Sequence, residues 1–279
     1  MKNILVPFDF SNESNAALRA AGVLASKTKA KIMLLNVYEA PEDTTDLYSF
    51  SEDSLKNYKK VLDEVKVKHE DALRDLIEKS TFLNCEIESV VRRGFVHKEI
   101  IEVTEESTID MVVMGTKGTS TLEEYVIGTN VERIIHAVKC PVLIVPKVQE
   151  EFNLSDVIFA SEFDEIQIPE FDFFKAIVNQ FESNVHLLRV NTPSNFKRSG
   201  EMRQSMTEFG QYWELSQTTS NIYSDFSIEE GMIEFAKSVE ADLICIHRRQ
   251  HRSLFSFLNS RFSDEIAKRA SSKPILILT

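Results

Sequence analysis

Residues 111–135 read MVVMGTKGTSTLEEYVIGTNVERII, and this stretch predicts a strand, a glycine-rich loop and a helix in that order. Its first four residues are apolar, which predicts a buried strand. Three of the eight glycines in the 279-residue chain then fall within fourteen residues, at Gly115, Gly118 and Gly128. The amphipathic run 131–135 predicts a helix. Because glycine lets a backbone approach a ligand closely and a helix start offers unpaired N–H groups, the stretch predicts a phosphate cradle near 115–130.

Composition narrows the classes of function. The chain is 43% hydrophobic and 27% charged, as in ordinary globular proteins, and its net charge is −12. That charge argues against broad contact with nucleic acid or an anionic membrane. No apolar run approaches the roughly 20 residues that span a bilayer. Cys85, Cys140 and Cys245 are too few and scattered for a disulfide framework or a zinc site, so we expect a reducing, cytoplasmic location.

The chain repeats one plan of alternating strands and helices. The second strand of the first half contains Ile-Met-Leu-Leu-Asn-Val (32–37), and the second half contains Val-His-Leu-Leu-Arg-Val (185–190) in the same place. Each half therefore predicts an open, mostly parallel sheet of five strands with helices on both faces. We place an N-terminal domain at 1–147 and a C-terminal domain at 154–279, joined by a polar linker.

The glycine motif and the repeated plan together resemble the universal stress protein family in its tandem two-domain form. The matching residues are Gly115-x2-Gly118-x9-Gly128-Thr129, Asp9 after Pro7, Val37 at the end of the second strand, and Pro141–Val145. This spacing equals the family's ATP-binding signature, Gly-x2-Gly-x9-Gly-Ser/Thr. The resemblance implies an open α/β fold of the adenine nucleotide alpha hydrolase type that binds ATP, with Mg²⁺ arriving on the triphosphate.

The resemblance also implies a set of nucleotide-binding residues. Pro7 and Asp9 would lie beside adenine and ribose, and the Val37 backbone would contact the base. The rest would hold the phosphates: Met114, Gly115, Thr116, Lys117, Gly118, Gly128, Thr129 and Asn130. Plainer alternatives remain open, because Asp9 can solvate a strand end, Lys117 can be an exposed loop charge, and the glycines can serve a tight turn.

The second half lacks this signature. His247 stands at the position of Gly115, and Glu162 stands at the position of Asp9. Side chains stand at positions where the backbone must approach phosphate, so we expect no ATP binding there and predict one nucleotide per chain. The basic run His247–Arg252 is either a site for an anion or an acidic protein partner, or a set of arginines that pair with acidic residues or face solvent.

No catalytic set is visible in the sequence. There is no Ser–His–Asp order, no paired-carboxylate signature, no clustered histidines and no common ATPase phosphate loop. The leading hypothesis is a nucleotide-responsive regulator that binds ATP. Two alternatives stay open: a weak ATP hydrolase or phosphotransferase, and a nucleotide-free interaction scaffold.

The last strand of each half predicts how the halves join. In the family, the last strands of two domains pair across a dimer interface. Here Val142–Val145 and Ile275–Leu278 can pair within one chain as a pseudo-dimer, which removes two exposed sheet edges. Further pairing of two chains into a homodimer is left open.

Overall fold

The structure is a computed structural model that describes residues 1–39, 52–80, 83–116, 129–146, 152–247 and 273–279. In these ranges the chain forms one ten-stranded sheet with helices on both faces. The strand order is β3-β2-β1-β4-β5-β10-β9-β6-β7-β8. Every neighbouring pair is parallel except β5 and β10. The alternating strands and helices of the sequence thus form the expected doubly wound α/β fold.

The first half supplies one side of the sheet. Its elements, in chain order, are β1 (Asn3–Pro7), α1 (Asn12–Thr28), β2 (Lys31–Tyr38), α2 (Glu52–Lys79), β3 (Ile87–Arg93), α3 (Val96–Glu106), β4 (Met111–Gly115), α4 (Thr129–Ala137) and β5 (Val142–Val145). The second half supplies the other side, with β6 (Asp156–Ala160), α5 (Phe171–Phe181), β7 (Asn184–Asn191), α6 (Ser199–Tyr212), β8 (Thr218–Ser224), α7 (Ile228–Ser238), β9 (Leu243–His247) and β10 (Ile275–Leu278).

The two halves join through β5 and β10. These strands run antiparallel with Leu143 opposite Leu276 and Val142 opposite Ile277. All four residues are at most 2% exposed. The pairing turns two five-stranded sheets into one, within a single chain, and covers the edge that each half would otherwise expose.

The apolar residues divide between the two faces of the sheet because strand side chains alternate. One core lies under α1, α2, α5 and α6, and the other under α3, α4 and α7. Alanines on α1 let it lie close to the sheet, whereas α5 and α6 cover their half with phenylalanines. The ring centroids of Phe159 and Phe171 are 4.8 Å apart, and those of Phe171 and Trp213 are also 4.8 Å apart.

Matching hydrogen bonds show that the halves repeat residue for residue. Asp110 Oδ2 accepts from the backbone N–H groups of Lys2 and Asn3, and Asp242 Oδ2 accepts from those of Ser155 and Asp156. At the opposite end, Phe8 N donates to Leu35 O, and Ser161 N donates to Leu188 O. These bonds place Glu162 at the position of Asp9 and Arg189 at the position of Asn36.

Candidate functional site

The candidate site lies at the carboxyl ends of β2, β1 and β4, which are neighbours in the sheet. Pro7 pairs with Leu35 across β1 and β2, and Gly115 ends β4 opposite Val145. Asp9 follows β1 by two residues, and Val37 is the penultimate residue of β2. Open α/β sheets bind ligands outside this edge. The edge therefore brings together Pro7, Asp9, Val37, Met114 and Gly115.

Most of the predicted residues that can be described are open to solvent at this edge. Side chains or backbone of six of them are partly exposed: Pro7, Asp9, Val37, Gly115, Thr116 and Asn130. Met114 differs, because it is 6% exposed and packs into the core under α3 and α4. Its side chain therefore belongs to the core and not to the solvent-exposed edge.

Three predicted residues, Lys117, Gly118 and Gly128, lie outside the described residues. Thr129 begins α4, and Asn130 follows it in the first turn. Because α4 crosses over between the parallel strands β4 and β5, its first turn lies at the carboxyl edge of the sheet. The N–H groups of that turn thus face the same edge as Gly115.

Gly115 has a packing role that the sequence did not reveal. An added Cβ would lie 2.7 Å from Glu13 Cβ and 2.8 Å from Glu13 C and O. Those atoms belong to the first turn of α1, so the glycine lets α1 lie directly on the end of β4. The absence of a side chain at 115 is therefore explained by helix packing alone, and the prediction that it serves phosphate is an additional, separate claim.

The helix that lies on Gly115 starts from a well-defined turn. Asp9 Oδ1 accepts from Ser11 N at 3.1 Å, and Ser11 Oγ caps α1 by accepting from Ser14 N at 3.0 Å. Between them, Phe10 has φ 64°, and its counterpart Phe163 has φ 54°. Left-handed backbone is unfavourable for phenylalanine, so the same strained turn in both halves marks a geometry that the fold imposes.

A buried polar network behind the edge was missed by sequence reasoning. Asn36 Nδ2 donates to the Phe8 carbonyl at 2.7 Å, and His69 Nδ1 lies 2.6 Å from Asn36 Oδ1. Because the amide nitrogen is the donor to Phe8, Oδ1 is the acceptor and His69 Nδ1 carries the proton. The network ties α2 to the ends of β1 and β2. The available signal was a polar residue inside the apolar run 31–37.

The corresponding edge of the second half is closed. Ala160, Val190 and His247, which correspond to Pro7, Val37 and Gly115, are 3%, 5% and 2% exposed. His247 Nε2 lies 3.5 Å from Glu170 Oε2. Thus His247 does not present its ring at the surface as the first residue of an exposed basic run, and Arg248–Arg252 lie outside the described residues.

A late helix start makes room for His247. Helix α1 begins three residues after Asp9, whereas α5 begins nine residues after Glu162. Pro169 explains the delay, because the residue before proline avoids helical backbone and proline fits only the first turn of a helix. The first turn of α1 lies over Gly115, whereas the corresponding residues of the second half precede α5, and His247 contacts Glu170, the residue before that helix.

The cysteines and acidic groups show no reactive or metal-binding arrangement in the described part of the chain. All three cysteines are free thiols. Burial raises the pKa of Cys140 to about 11 and the pKa of Cys245 well above its ordinary value. No group of three or more His, Cys, Asp or Glu residues is placed to hold a metal among the residues described. Within the same ranges, no helix has the length and apolarity needed to cross a membrane.

Fold and site together define a tandem α/β protein whose first half has a partly exposed carboxyl edge and whose second half has a buried one. The family model "Universal stress protein family" matches residues 1–146, and the chain belongs to this family of stress-response proteins. A universal stress protein of Methanocaldococcus jannaschii is 27% identical over 160 residues, which are 52% of this chain and 95% of that protein. Another, YxiE of Bacillus subtilis, is 29% identical over 143 residues, 51% of this chain and 97% of that protein.

A solved structure shares the whole two-half architecture. The crystal structure of a universal stress protein from Archaeoglobus fulgidus has a TM-score of 0.72 at 20% identity and covers 99% of this chain and 96% of that chain. At this identity the likeness concerns the fold alone. The predicted fold class, a tandem universal stress protein fold, is confirmed.

Proposed function

We propose that the N-terminal half binds one adenine nucleotide, ATP, at the carboxyl ends of β1, β2 and β4, and that the protein is a nucleotide-responsive regulator in stress. The observation that carries this proposal is the contrast between the halves. Pro7, Val37 and Gly115 are partly exposed, whereas their counterparts Ala160, Val190 and His247 are buried. Both edges have the same topology, but among the described residues these three matched positions are partly exposed in the first half and buried in the second.

The residues at the open edge suit a nucleotide. The glycine spacing of residues 115–129 is that of the family's phosphate signature, and the first turn of α4 faces the same edge. A helix N-terminus attracts phosphate through its unpaired N–H groups and its dipole. Thr116 and Asn130 are partly exposed beside it. Asp9 keeps one oxygen on Ser11 N, which fixes its carboxylate where a ribose hydroxyl can donate to it.

Calorimetric titration of ATP tests the proposal. Wild-type protein should bind one ATP per chain. Gly118→Asp should lower affinity at least about tenfold, a loss of about 1.4 kcal/mol, because a carboxylate would meet the phosphates. Gly200→Asp is the matched control, since nothing lies within 4 Å of a Cβ added at Gly200, and it should bind as wild type does.

Two outcomes would contradict the proposal. Unchanged affinity in Gly118→Asp would show that the phosphates do not contact the glycine loop. A stoichiometry of two ATP per chain would show that the edge of the second half also binds ATP. If Gly118→Asp loses its native circular dichroism, Asp9→Asn serves instead. The asparagine oxygen still accepts from Ser11 N but carries no charge toward a ribose, so affinity should fall while the turn persists.

The same sample distinguishes binding from turnover. A regulator should retain Mg-ATP over minutes, whereas rapid ADP release would support the hydrolase or phosphotransferase alternative. The absence of any heat on ATP titration would support the nucleotide-free scaffold. Homodimer formation, a protein partner at His247–Arg252, a cytoplasmic location and the domain limits 1–147 and 154–279 remain predictions from the sequence.

A further inference from the structure

The second half contains a buried arginine whose hydrogen bonds are incomplete. Arg189 lies on β7, is 1% exposed, and donates through Nη1 to the carbonyl of Glu162. Nη1 is also 3.9 Å from Asp164 Oδ1. Its Nε and Nη2 are buried and have no hydrogen-bond partner within the part of the chain that the structure describes.

The two unused nitrogens are the important ones. Nε and Nη2 form one edge of the guanidinium, and this edge binds a carboxylate or a phosphate through two parallel hydrogen bonds. Arginine remains charged in proteins, so it does not escape burial by losing its proton. Burial of a charged group with unsatisfied donors costs free energy, and an anion that accepts from Nε and Nη2 would remove this cost.

The charged groups near Arg189 are Asp164 and Lys197. Lys197 Nζ contacts the same Asp164 oxygen that lies near Arg189. Two cations therefore share one carboxylate on the Nη1 side of the guanidinium, and this carboxylate does not contact Nε or Nη2. Asp164 and Lys197 have side chains that are 49% and 39% exposed, so they form the part of this cluster that reaches solvent.

Position in the fold supports a ligand rather than an accident of packing. Arg189 stands where the first half has Asn36, whose amide nitrogen donates to Phe8 and whose amide oxygen meets His69. Asn36 has hydrogen-bond partners on both its amide nitrogen and its amide oxygen. Arg189 at the matching position has two nitrogens without a partner among the described residues. The arginine lies at the carboxyl end of the sheet, where open α/β folds bind ligands.

We propose that the C-terminal half holds a small oxyanion, a phosphate or a carboxylate group, on the Nε and Nη2 edge of Arg189, with Lys197 at the entrance. This site differs from the nucleotide site of the N-terminal half in location and in chemistry, because it uses an arginine side chain and not main-chain amides. It gives the second half a ligand of its own although its nucleotide edge is closed.

Thermal unfolding of the full chain at constant ionic strength, with chloride replaced stepwise by inorganic phosphate or by acetate, tests the proposal. A bound anion should raise Tm by about 2–4 °C for each tenfold increase above its dissociation constant. A response to phosphate alone assigns a phosphate group, and a response to acetate alone assigns a carboxylate. A response to both anions shows that the site accepts either group. No response to either anion overturns the proposal.

Three variants locate the response. Arg189→Met should abolish it and leave Tm in chloride equal to or above that of wild type, because the methionine removes a buried charge with unused donors. Lys197→Met should lower the affinity for the anion about tenfold. Arg198→Met is the matched control, since Arg198 is the exposed neighbour of Lys197, and it should respond as wild type does.

The variant Gly118→Asp distinguishes anion binding at Arg189 from anion binding at the proposed nucleotide site. Phosphate can also bind the glycine loop, so the response must persist in Gly118→Asp if it belongs to Arg189. A response that disappears in Gly118→Asp and survives in Arg189→Met contradicts the proposal without affecting the proposed function. If Arg189→Met does not fold, an unchanged response in Lys197→Met is the contradicting result.

Discussion

Replacing Gly115 by alanine should destabilise the protein even without nucleotide. The new Cβ would lie 2.7–2.8 Å from the Cβ, carbonyl carbon and oxygen of Glu13, about 0.6 Å inside an ordinary contact. Two of these atoms are backbone, so α1 itself must move along the sheet. Overpacking of this kind costs about 1–3 kcal/mol. For a chain of this size, we expect Tm to fall by about 2–8 °C.

The assay is thermal and urea unfolding of the nucleotide-free protein, with Gly200→Ala as the control. Gly200 is the second residue of α6, and an added Cβ meets nothing within 4 Å, so alanine there should be neutral or slightly stabilising. The two variants make the same chemical change in closed and open surroundings. If Gly115→Ala is as stable as Gly200→Ala, the close contact between α1 and β4 does not require the glycine, and its absence of a side chain must be explained by a ligand.

Two further predictions concern the amino edge of the sheet and the buried thiols. Asp110→Ala and Asp242→Ala should each lower the free energy of unfolding by about 1–2 kcal/mol in urea titrations, because each removes a carboxylate that accepts from two backbone N–H groups. The control is Asp63→Ala at an exposed position, which should change the free energy of unfolding by less than about 0.5 kcal/mol. The pKa of Cys140 is raised to about 11, so its thiol contributes stability below the unfolded pKa near 9 and loses it as pH rises toward 11. Wild type should thus lose up to about 3 kcal/mol more than Cys140→Ala between pH 8 and pH 11; equal losses would show that burial of this thiol is not linked to folding.

Local patterns were sufficient to predict most of the strands and helices, whereas the role of the residues at the open edge stays a prediction. Apolar runs and helical spacing located β1, β2, β4, β5 and their helices, because burial of one face repeats along the chain. The same patterns did not predict α6 or β8 as separate elements. The polar strand Thr218–Ser224 lies at the sheet edge with most side chains only partly buried, so it has little apolar alternation.

The amino-acid sequence was sufficient to predict that this chain is a tandem α/β protein, that its halves repeat, and that only the first carries the glycine spacing of the family's phosphate signature. These properties depend on residue type and spacing. Tertiary structure decided the rest: that α1 lies on Gly115, that the late start of α5 admits His247, and that Arg189 is buried with an open fork. Such facts depend on which distant segments meet, and a residue's neighbours across a sheet are set by the packing of the whole chain and not by its local sequence.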